Sequence, residues 1–138
     1  MLVVVHAPGA VLLLERASPA GWWQSVTGTL EWGEAPEQAA RRELREETGL
    51  EAEAGLWRDC RRCNLFPILS AWQARYAPGE RFNLERVFIL ALPATAAVRL
   101  NPAEHRRGLW LPPGEAAERA SSWTNREAIR HYCQHPQM

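Results

Sequence analysis

Lysine is absent from this chain of 138 residues, so all sixteen basic residues are arginine. The planar guanidinium group of arginine forms forked hydrogen bonds with phosphate. A genomic bias toward GC-rich codons is the simpler explanation of this composition, so the fork geometry matters only at particular sites. Net charge is also absent, because sixteen acidic residues balance the basic ones. A neutral chain gives no support to a nucleic-acid partner, which would require an excess of basic charge on one face.

Long apolar runs are missing as well. No segment approaches the ~20 apolar residues of a membrane-spanning helix. The apolar run at Leu2–Val5 is too short for the hydrophobic region of a signal peptide and lacks a basic start. We therefore expect a cytoplasmic protein with no membrane partner.

Cysteine is scarce, with three residues in the chain. Cys60 and Cys63 form a lone CxxC pair, whereas a zinc site would need a second ligand pair at suitable spacing. Cys133 and the scattered histidines do not supply that pair. A redox role for the CxxC pair is the less favoured alternative to a purely structural one.

The residues that are present predict one α/β domain spanning residues 1–138. Apolar residues make up 46% of the chain and seven of its residues are tryptophan, so a substantial core is available. Strands interspersed with helices predict the α/β class. The predicted strands are Leu2–His6, Ala10–Glu15, two within Trp22–Leu30, one or two within Leu50–Cys63, Arg86–Leu92 and Ala97–Leu100. The predicted helices are Pro36–Glu47 and Ser122–Cys133, and Pro112–Gly114 is predicted to break the stretch that begins at Trp110.

The first predicted helix carries three carboxylates, Glu43, Glu46 and Glu47, at positions i, i+3 and i+4. Residues at this spacing are neighbours on one helix face, where like charges repel. A cation is the usual compensation, and Mg²⁺ takes oxygen ligands and bridges carboxylates to substrate phosphates. Taken alone, the pattern also fits a solvated face with arginine salt-bridge partners. The flanking residues favour the metal site, since Gly28 and Gly33 bracket a loop that permits close backbone approach.

These residues together resemble the signature of the Nudix hydrolases. The pattern runs from Gly28 over five residues to Glu34, then over seven residues to Arg42-Glu43-Leu44, and after one residue to Glu46-Glu47, followed by one residue and Gly49-Leu50. The resemblance implies an α/β/α sandwich with a mixed sheet and hydrolysis of a diphosphate linkage with Mg²⁺, for which Mn²⁺ can substitute. It implies metal ligation by Glu43 and Glu47 with Glu46 close by, and supporting roles for Gly28, Glu34 and Arg42.

A fourth carboxylate, Glu104, precedes Trp110-Leu111 in a predicted loop. It resembles the acidic residue that the family often places there to reach the metal or activate water. We therefore include Glu104 among the candidate metal ligands and, with Glu46 and Glu47, among the candidate catalytic residues. Its neighbour His105 is predicted to be structural or exposed.

Four further segments resemble the branch of the family that removes pyrophosphate from a pterin triphosphate in folate biosynthesis. They are Trp22–Gly28, Arg75–Gly79, the pair Asn83 and Glu85, and Ser122–Arg126. The expected partner is thus a small-molecule triphosphate, and the candidate substrate-binding residues are Arg16, Thr27, Phe66 and Ser122. A nucleoside or deoxynucleoside triphosphate is the first alternative substrate, because purines and pterins are similar in size and edge pattern. A binding module that does not cut its nucleotide is a remote alternative, since every signature carboxylate is present.

Overall fold

The computed structural model describes residues 1–67 and 82–134, and only the backbone of residues 66, 67, 82 and 83. The strands are β1 Leu2–Ala7, β2 Ala10–Arg16, β3 Trp23–Gln24, β4 Val26–Thr27, β5 Leu56–Pro67, β6 Phe82–Ala91 and β7 His105–Leu111. The helices are α1 Pro36–Thr48, α2 Pro113–Arg119 and α3 Trp123–Cys133, with a short 3₁₀ turn at Ala52–Ala54. No helix in the described ranges is long and apolar enough to cross a membrane.

Strand β1 lies at the centre of one mixed sheet. It pairs in parallel with β6 and antiparallel with β2 and β4. β5 extends the sheet beyond β6, and β2 pairs with both β3 and β7. The mixed sheet predicted by the family resemblance is therefore confirmed.

The two faces of the sheet bury separate hydrophobic cores because side chains alternate along each strand. On β1, Val3 and Val5 belong to the core beneath α1, whereas Leu2 and Val4 belong to the core beneath α2 and α3. A helical layer thus covers each face, and the predicted α/β/α sandwich is confirmed. That residues 1–138 form a single domain stays a prediction.

Helix α1 begins and ends where the sequence indicates. Pro36 occupies the first turn, and Ala35 offers no side-chain cap, but the backbone N–H of Ala35 donates to the side chain of Gln38 at 2.9 Å. At the other end Gly49 adopts φ 76°, a left-handed conformation that favours glycine, and its N–H donates to the carbonyl of Arg45 at 2.9 Å. These ends fix the rotation of the helix and therefore the direction of its carboxylates.

One prediction about the second half of the chain was wrong, and one helix there was not predicted. Residues 97–100 form no strand; Val98 and Leu100 pack against the first core, while the N–H of Arg99 donates to the carbonyl of Thr48 at 2.8 Å. The stretch that contains Trp110 ends at Leu111, as predicted, but Pro113 then opens α2, since proline is tolerated in the first helical turn. The segment Arg75–Gly79, which contributes to the family resemblance, lies outside the described residues.

Candidate active site

The three carboxylates of α1 share a helix face but differ in environment. Glu47 is buried, Glu43 is largely buried, and the side chain of Glu46 is 55% exposed. The difference arises because Leu44 anchors α1 in the core, and the adjacent side of the helix faces β4. The site therefore offers one enclosed carboxylate, one at its wall and one facing solvent.

Gly28 lies directly against Glu43. A Cβ atom at position 28 would overlap the Glu43 side chain, with the Cγ atom of Glu43 2.6 Å away, so no larger residue fits without moving this carboxylate. The backbone of Gly28 also pairs with Met1, whose amino nitrogen donates to the Gly28 carbonyl at 2.7 Å. The close approach explains why this loop needs glycine beside the carboxylates.

Glu47 is buried without full hydrogen bonding. Its Oε1 atom has no hydrogen-bond partner within the described residues. Burial raises the pKa of Glu47 well above its ordinary value, and Glu43 and Glu104 raise it further, while a backbone hydrogen bond from Thr27 lowers it. A buried carboxylate of this kind is stabilised when a cation or a hydrogen-bond donor binds to it.

His105 is the neighbour of this orphaned oxygen. Its Nε2 atom lies 3.4 Å from Oε1 of Glu47, and both side chains are almost completely buried. Burial, with a contribution from Arg16, lowers the pKa of His105 to about 4, so the ring is neutral at pH 7. His105 was predicted to be structural or exposed, and the structure places it in the interior. His105 is the first residue of β7, so no alternation of apolar and polar residues precedes it to indicate that it is buried.

Arg42 braces the loop that leads into α1. Its Nε atom donates to Oε2 of Glu34 at 2.7 Å, and its Nη2 atom donates to Oε1 of Glu34 at 2.9 Å and to the Thr29 carbonyl at 3.1 Å. Hydrogen bonding from Arg42 lowers the pKa of Glu34 to about 2, and the same pair raises the pKa of Arg42. The fork ties the loop containing Gly33 to the helix.

The same guanidinium also contacts two of the helix carboxylates. Nη1 of Arg42 donates to Oε1 of Glu43 at 2.9 Å and to Oε2 of Glu46 at 3.2 Å. As the side chains stand, the described residues contain no group of three or more His, Cys, Asp or Glu arranged to hold a metal ion. The donor set nevertheless fits a hard divalent cation, because its atoms are carboxylate oxygens and one of them is buried without a partner.

Glu104 lies in the turn directly before β7, one residue before the buried His105. It is exposed, and its backbone carbonyl accepts a hydrogen bond from Ala17 at 2.9 Å. Its charge helps to raise the pKa of Glu47, so it lies within electrostatic reach of the buried carboxylate. The fold thus brings Glu104 near the helix carboxylates across a sequence separation of more than fifty residues.

The candidate substrate-binding residues belong to different elements of the fold. Thr27 ends β4 directly before Gly28, and its Oγ1 atom accepts a hydrogen bond from Gln24 at 3.1 Å. Arg16 ends β2, where its Nε atom donates to the Ser18 carbonyl at 2.9 Å.

The remaining two candidates differ in how much is described. The Oγ atom of Ser122 caps α3 by accepting from the N–H of Asn125 at 3.5 Å, and it lies 2.8 Å from Oγ1 of Thr124. Phe66 belongs to β5 opposite Asn83, and its side chain lies outside the described residues.

A group of buried polar residues on the α3 side of the sheet escaped the sequence analysis as a cluster. Asn125 accepts from the N–H of Ser25 at 2.7 Å and donates to its hydroxyl at 3.0 Å. Glu85 and Asn64 are buried opposite each other on β6 and β5. The available signal was the charge of Glu85 in the mostly apolar strand β6. Only the register of the sheet connects Glu85 to the other members of the cluster.

Comparison with known proteins agrees with this architecture. The family model described as NUDIX domain matches residues 1–132. The chain is 41% identical over 136 residues to dihydroneopterin triphosphate diphosphatase of Escherichia coli (strain K12), covering 96% of this chain and 89% of the relative. It is 34% identical over 137 residues to the protein of that name from Haemophilus influenzae, covering 96% and 85%.

A solved structure is similar over nearly the same extent. The structure of the E. coli dihydroneopterin triphosphate pyrophosphohydrolase superposes with a TM-score of 0.88 and 41% identity, covering 95% of this chain and 91% of the other. The family match, the relatives and the shared sandwich agree with one another. This chain belongs to the NUDIX domain family.

Proposed function

We propose that this protein hydrolyses dihydroneopterin triphosphate to dihydroneopterin monophosphate and pyrophosphate, a step of folate biosynthesis. The observation that carries the proposal is the 41% identity to the E. coli dihydroneopterin triphosphate diphosphatase over 96% of the chain. The site geometry supports the reaction class, since a diphosphate is a polyanion and the carboxylates of α1 require a cation to meet it. A small free substrate agrees with the predicted cytoplasmic location.

The metal is proposed to be Mg²⁺, with Mn²⁺ as a substitute, held by Glu43, Glu47 and Glu104. Nudix hydrolases in general use divalent metal ions. When bound, such an ion polarises the phosphoryl oxygens and neutralises charge on the leaving pyrophosphate. Glu47 supports the assignment most directly, because its Oε1 atom is buried and has no hydrogen-bond partner in the described part of the chain.

Protein groups around the metal supply positioning and proton transfer. Arg42 holds Glu34 and Glu43 simultaneously, so it fixes the signature loop against the helix. Glu46 and Glu104 are the exposed carboxylates of the group, and we assign to them the acceptance of a proton from an attacking water. Either would act as general base. Glu47 is the third proposed catalytic residue, beside Glu46 and Glu104.

Substrate contacts are assigned to four residues around this centre. Arg16 would fork a phosphate, since its guanidinium lies at the end of β2. Thr27 and Ser122 would donate hydroxyl hydrogen bonds to phosphate oxygens or the heterocycle, and Phe66 would stack on the ring. Gly28, Glu34 and Arg42 support the site without reading the substrate.

One experiment tests the proposal directly. The purified protein is incubated with Mg²⁺ and a panel of triphosphates, comprising dihydroneopterin triphosphate and the common nucleoside and deoxynucleoside triphosphates. Released phosphate species are then identified and kcat/KM is compared across the panel. We expect the highest kcat/KM for dihydroneopterin triphosphate with pyrophosphate as product. A higher kcat/KM for a nucleoside triphosphate would show that this nucleotide is the preferred substrate. If no triphosphate of the panel were hydrolysed, the proposed function would be wrong.

A further inference from the structure

Glu85 is a buried carboxylate that the proposed hydrolysis does not use. It lies on β6 and is 5% exposed. Its Oε1 atom has no hydrogen-bond partner within the described residues. Leaving a buried carboxylate oxygen without a donor is costly, and this cost is removed when a ligand supplies the donor. The position therefore calls for a partner that carries N–H or O–H groups.

The neighbours of Glu85 are polar and come from two other elements. Asn64 lies directly opposite on β5, and Thr124 lies in the first turn of α3. Both are buried, at 8% and 1% exposure. Burial raises the pKa of Glu85, whereas hydrogen bonding from Thr124, the positive charge of the Met1 amino group and hydrogen bonding from Asn64 lower it. The three side chains form a polar group beneath α3 rather than an isolated charge in an apolar core.

The register of the sheet places this group at the same end as the signature loop. Leu2 on β1 pairs with Val87 on one side and with Thr27 on the other. Glu85, two residues before Val87, and Gly28, directly after Thr27, therefore lie at the same end of β1. Neighbouring strands are ~4.8 Å apart, so the two positions are separated by about two strand spacings. The three-carbon side chain between a pterin ring and its phosphates can span such a gap.

The two positions also lie on different faces. Glu85 points to the same face of β6 as Val87 and Ile89, which belong to the core beneath α3, whereas Glu43 projects from α1 on the opposite face. A substrate whose phosphates meet the α1 carboxylates would thus bend over the end of β1 to place its ring near Glu85. This arrangement separates the recognition of the ring from the cleavage of the phosphates.

We propose that Glu85 determines substrate specificity by accepting hydrogen bonds from the amino group and the adjacent ring N–H of the heterocycle. The inference rests on the proposed function, since it concerns the ring of that substrate. A 2-amino-4-oxopyrimidine edge presents two parallel N–H donors, which match the two oxygens of one carboxylate. Pterin and guanine carry this edge. Hypoxanthine lacks the amino group, and adenine presents an acceptor beside its amino group.

Binding of neopterin tests the assignment without metal or turnover. Neopterin carries the same donor edge and no phosphate, and its fluorescence reports binding. We expect Glu85→Gln to weaken neopterin binding by about 10- to 100-fold, the size expected when a charged hydrogen-bond acceptor is lost from a buried site. Asp59→Asn is the matched control, because Asp59 is a carboxylate on the same strand pair whose partner is Arg86 at 2.9 Å. Its neopterin affinity should equal that of the wild type.

Inhibition by GTP and ITP provides a second measurement that uses the wild-type protein. The two nucleotides differ by the amino group alone, and each is measured as a competitive inhibitor of dihydroneopterin triphosphate hydrolysis. We expect wild type to favour GTP by about 10-fold or more, and Glu85→Gln to bring the ratio near one. A wild-type ratio near one overturns the assignment even if Glu85→Gln fails to fold.

The outcomes distinguish this inference from the proposed reaction. Neopterin binding that depends on Glu85 in a protein that does not hydrolyse dihydroneopterin triphosphate overturns the reaction alone. Hydrolysis by wild type with unchanged neopterin affinity in a folded Glu85→Gln overturns the role of Glu85 alone. A purely structural role would lower Tm in Glu85→Gln while leaving affinity and the GTP/ITP ratio at wild-type values, and that result also overturns the assignment.

Discussion

Nε2 of His105 lies 3.4 Å from Oε1 of Glu47, and neither atom has a hydrogen-bond partner elsewhere in the described structure. The contact joins the start of β7 to the last turn of α1, two segments that are distant in sequence. A neutral imidazole can donate one N–H to a carboxylate, which would hold the Glu47 side chain in one orientation. We therefore expect His105 to act as a positioning residue for the proposed metal ligand.

Removing His105 is expected to weaken metal binding. We expect His105→Ala to lower Mn²⁺ affinity by about 10- to 100-fold, the range seen when a partner of a metal ligand is lost. Titration of bound Mn²⁺ by electron paramagnetic resonance measures this directly. His105→Gln, which keeps a side-chain N–H, should recover part of the Mn²⁺ affinity. His131→Ala is the control, because His131 is exposed, and its Mn²⁺ affinity should equal that of the wild type. Equal Mn²⁺ affinity in wild type and His105→Ala would contradict the positioning role.

The carboxylates of α1 should be essential for turnover and dispensable for folding. We expect Glu43→Gln and Glu47→Gln each to lower kcat by about 100-fold or more, because each substitution removes a charged ligand oxygen while keeping side-chain volume. Circular dichroism should show a folded protein in both cases. Glu53→Gln is the control, since the Glu53 side chain is 74% exposed and pairs only with Arg41 among the contacts described. Near-normal turnover of either variant at limiting Mg²⁺ excludes that residue as a ligand.

Metal removal should abolish the reaction reversibly. We expect EDTA to stop pyrophosphate release, and added Mg²⁺ or Mn²⁺ in excess to restore it, because clustered carboxylates repel a polyphosphate unless a cation lies between them. Product release is followed by ion-exchange chromatography. Full turnover in the presence of the chelator would contradict the metal site.

The fork between Arg42 and Glu34 should make stability depend on pH. Arg42 lowers the pKa of Glu34 from 4.5 in the unfolded chain to about 2 in the folded protein. The contribution is therefore fully present above pH 4.5 and is lost as the pH falls toward about 2. We expect wild type to have a higher Tm than Glu34→Gln at pH 7, and the difference to shrink below pH 4.5. A difference that stays constant from pH 7 to pH 3 would show that the charge of Glu34 is not responsible.

Hydrolysis in ¹⁸O-water should locate the attacked phosphorus. We expect the label in dihydroneopterin monophosphate, because water activated by Glu46 or Glu104 attacks the α-phosphorus while pyrophosphate departs. Mass spectrometry of both products measures the label. Label in pyrophosphate would place the attack at the β-phosphorus, and stoichiometric orthophosphate with a diphosphate product would contradict the proposed reaction altogether.

The helix and its carboxylates were predictable because their signals are local. The bounds of α1 follow from Pro36 and Gly49, and the order of its charged residues within one helix fixes which of them share a face. The close approach of Gly28 to Glu43 lies within the same short segment, although the sequence analysis did not predict it. Local chemistry thus predicted the layer of the fold that carries the cleavage site.

Other parts depended on partners distant in the chain. The apolar residues at 97–100 suggested a strand, but they pack by their side chains without a pairing strand. The roles of His105 and Glu85 appear only when β7 and β6 take their places in the sheet, since their neighbours Glu47 and Thr124 belong to helices formed elsewhere. The local sequence of neither residue identifies these neighbours.

The central position of β1 has a consequence for how the protein is made. β1 pairs in parallel with β6, so its apolar strand cannot be covered on that side until residues 82–91 have been synthesised. β2 becomes paired with β7 later still, because β7 spans residues 105–111. During translation the first two strands therefore emerge as an apolar hairpin with unpaired edges, the kind of segment that chaperones bind. Folding of the sheet is in this sense a late event, completed only when most of the chain has left the ribosome.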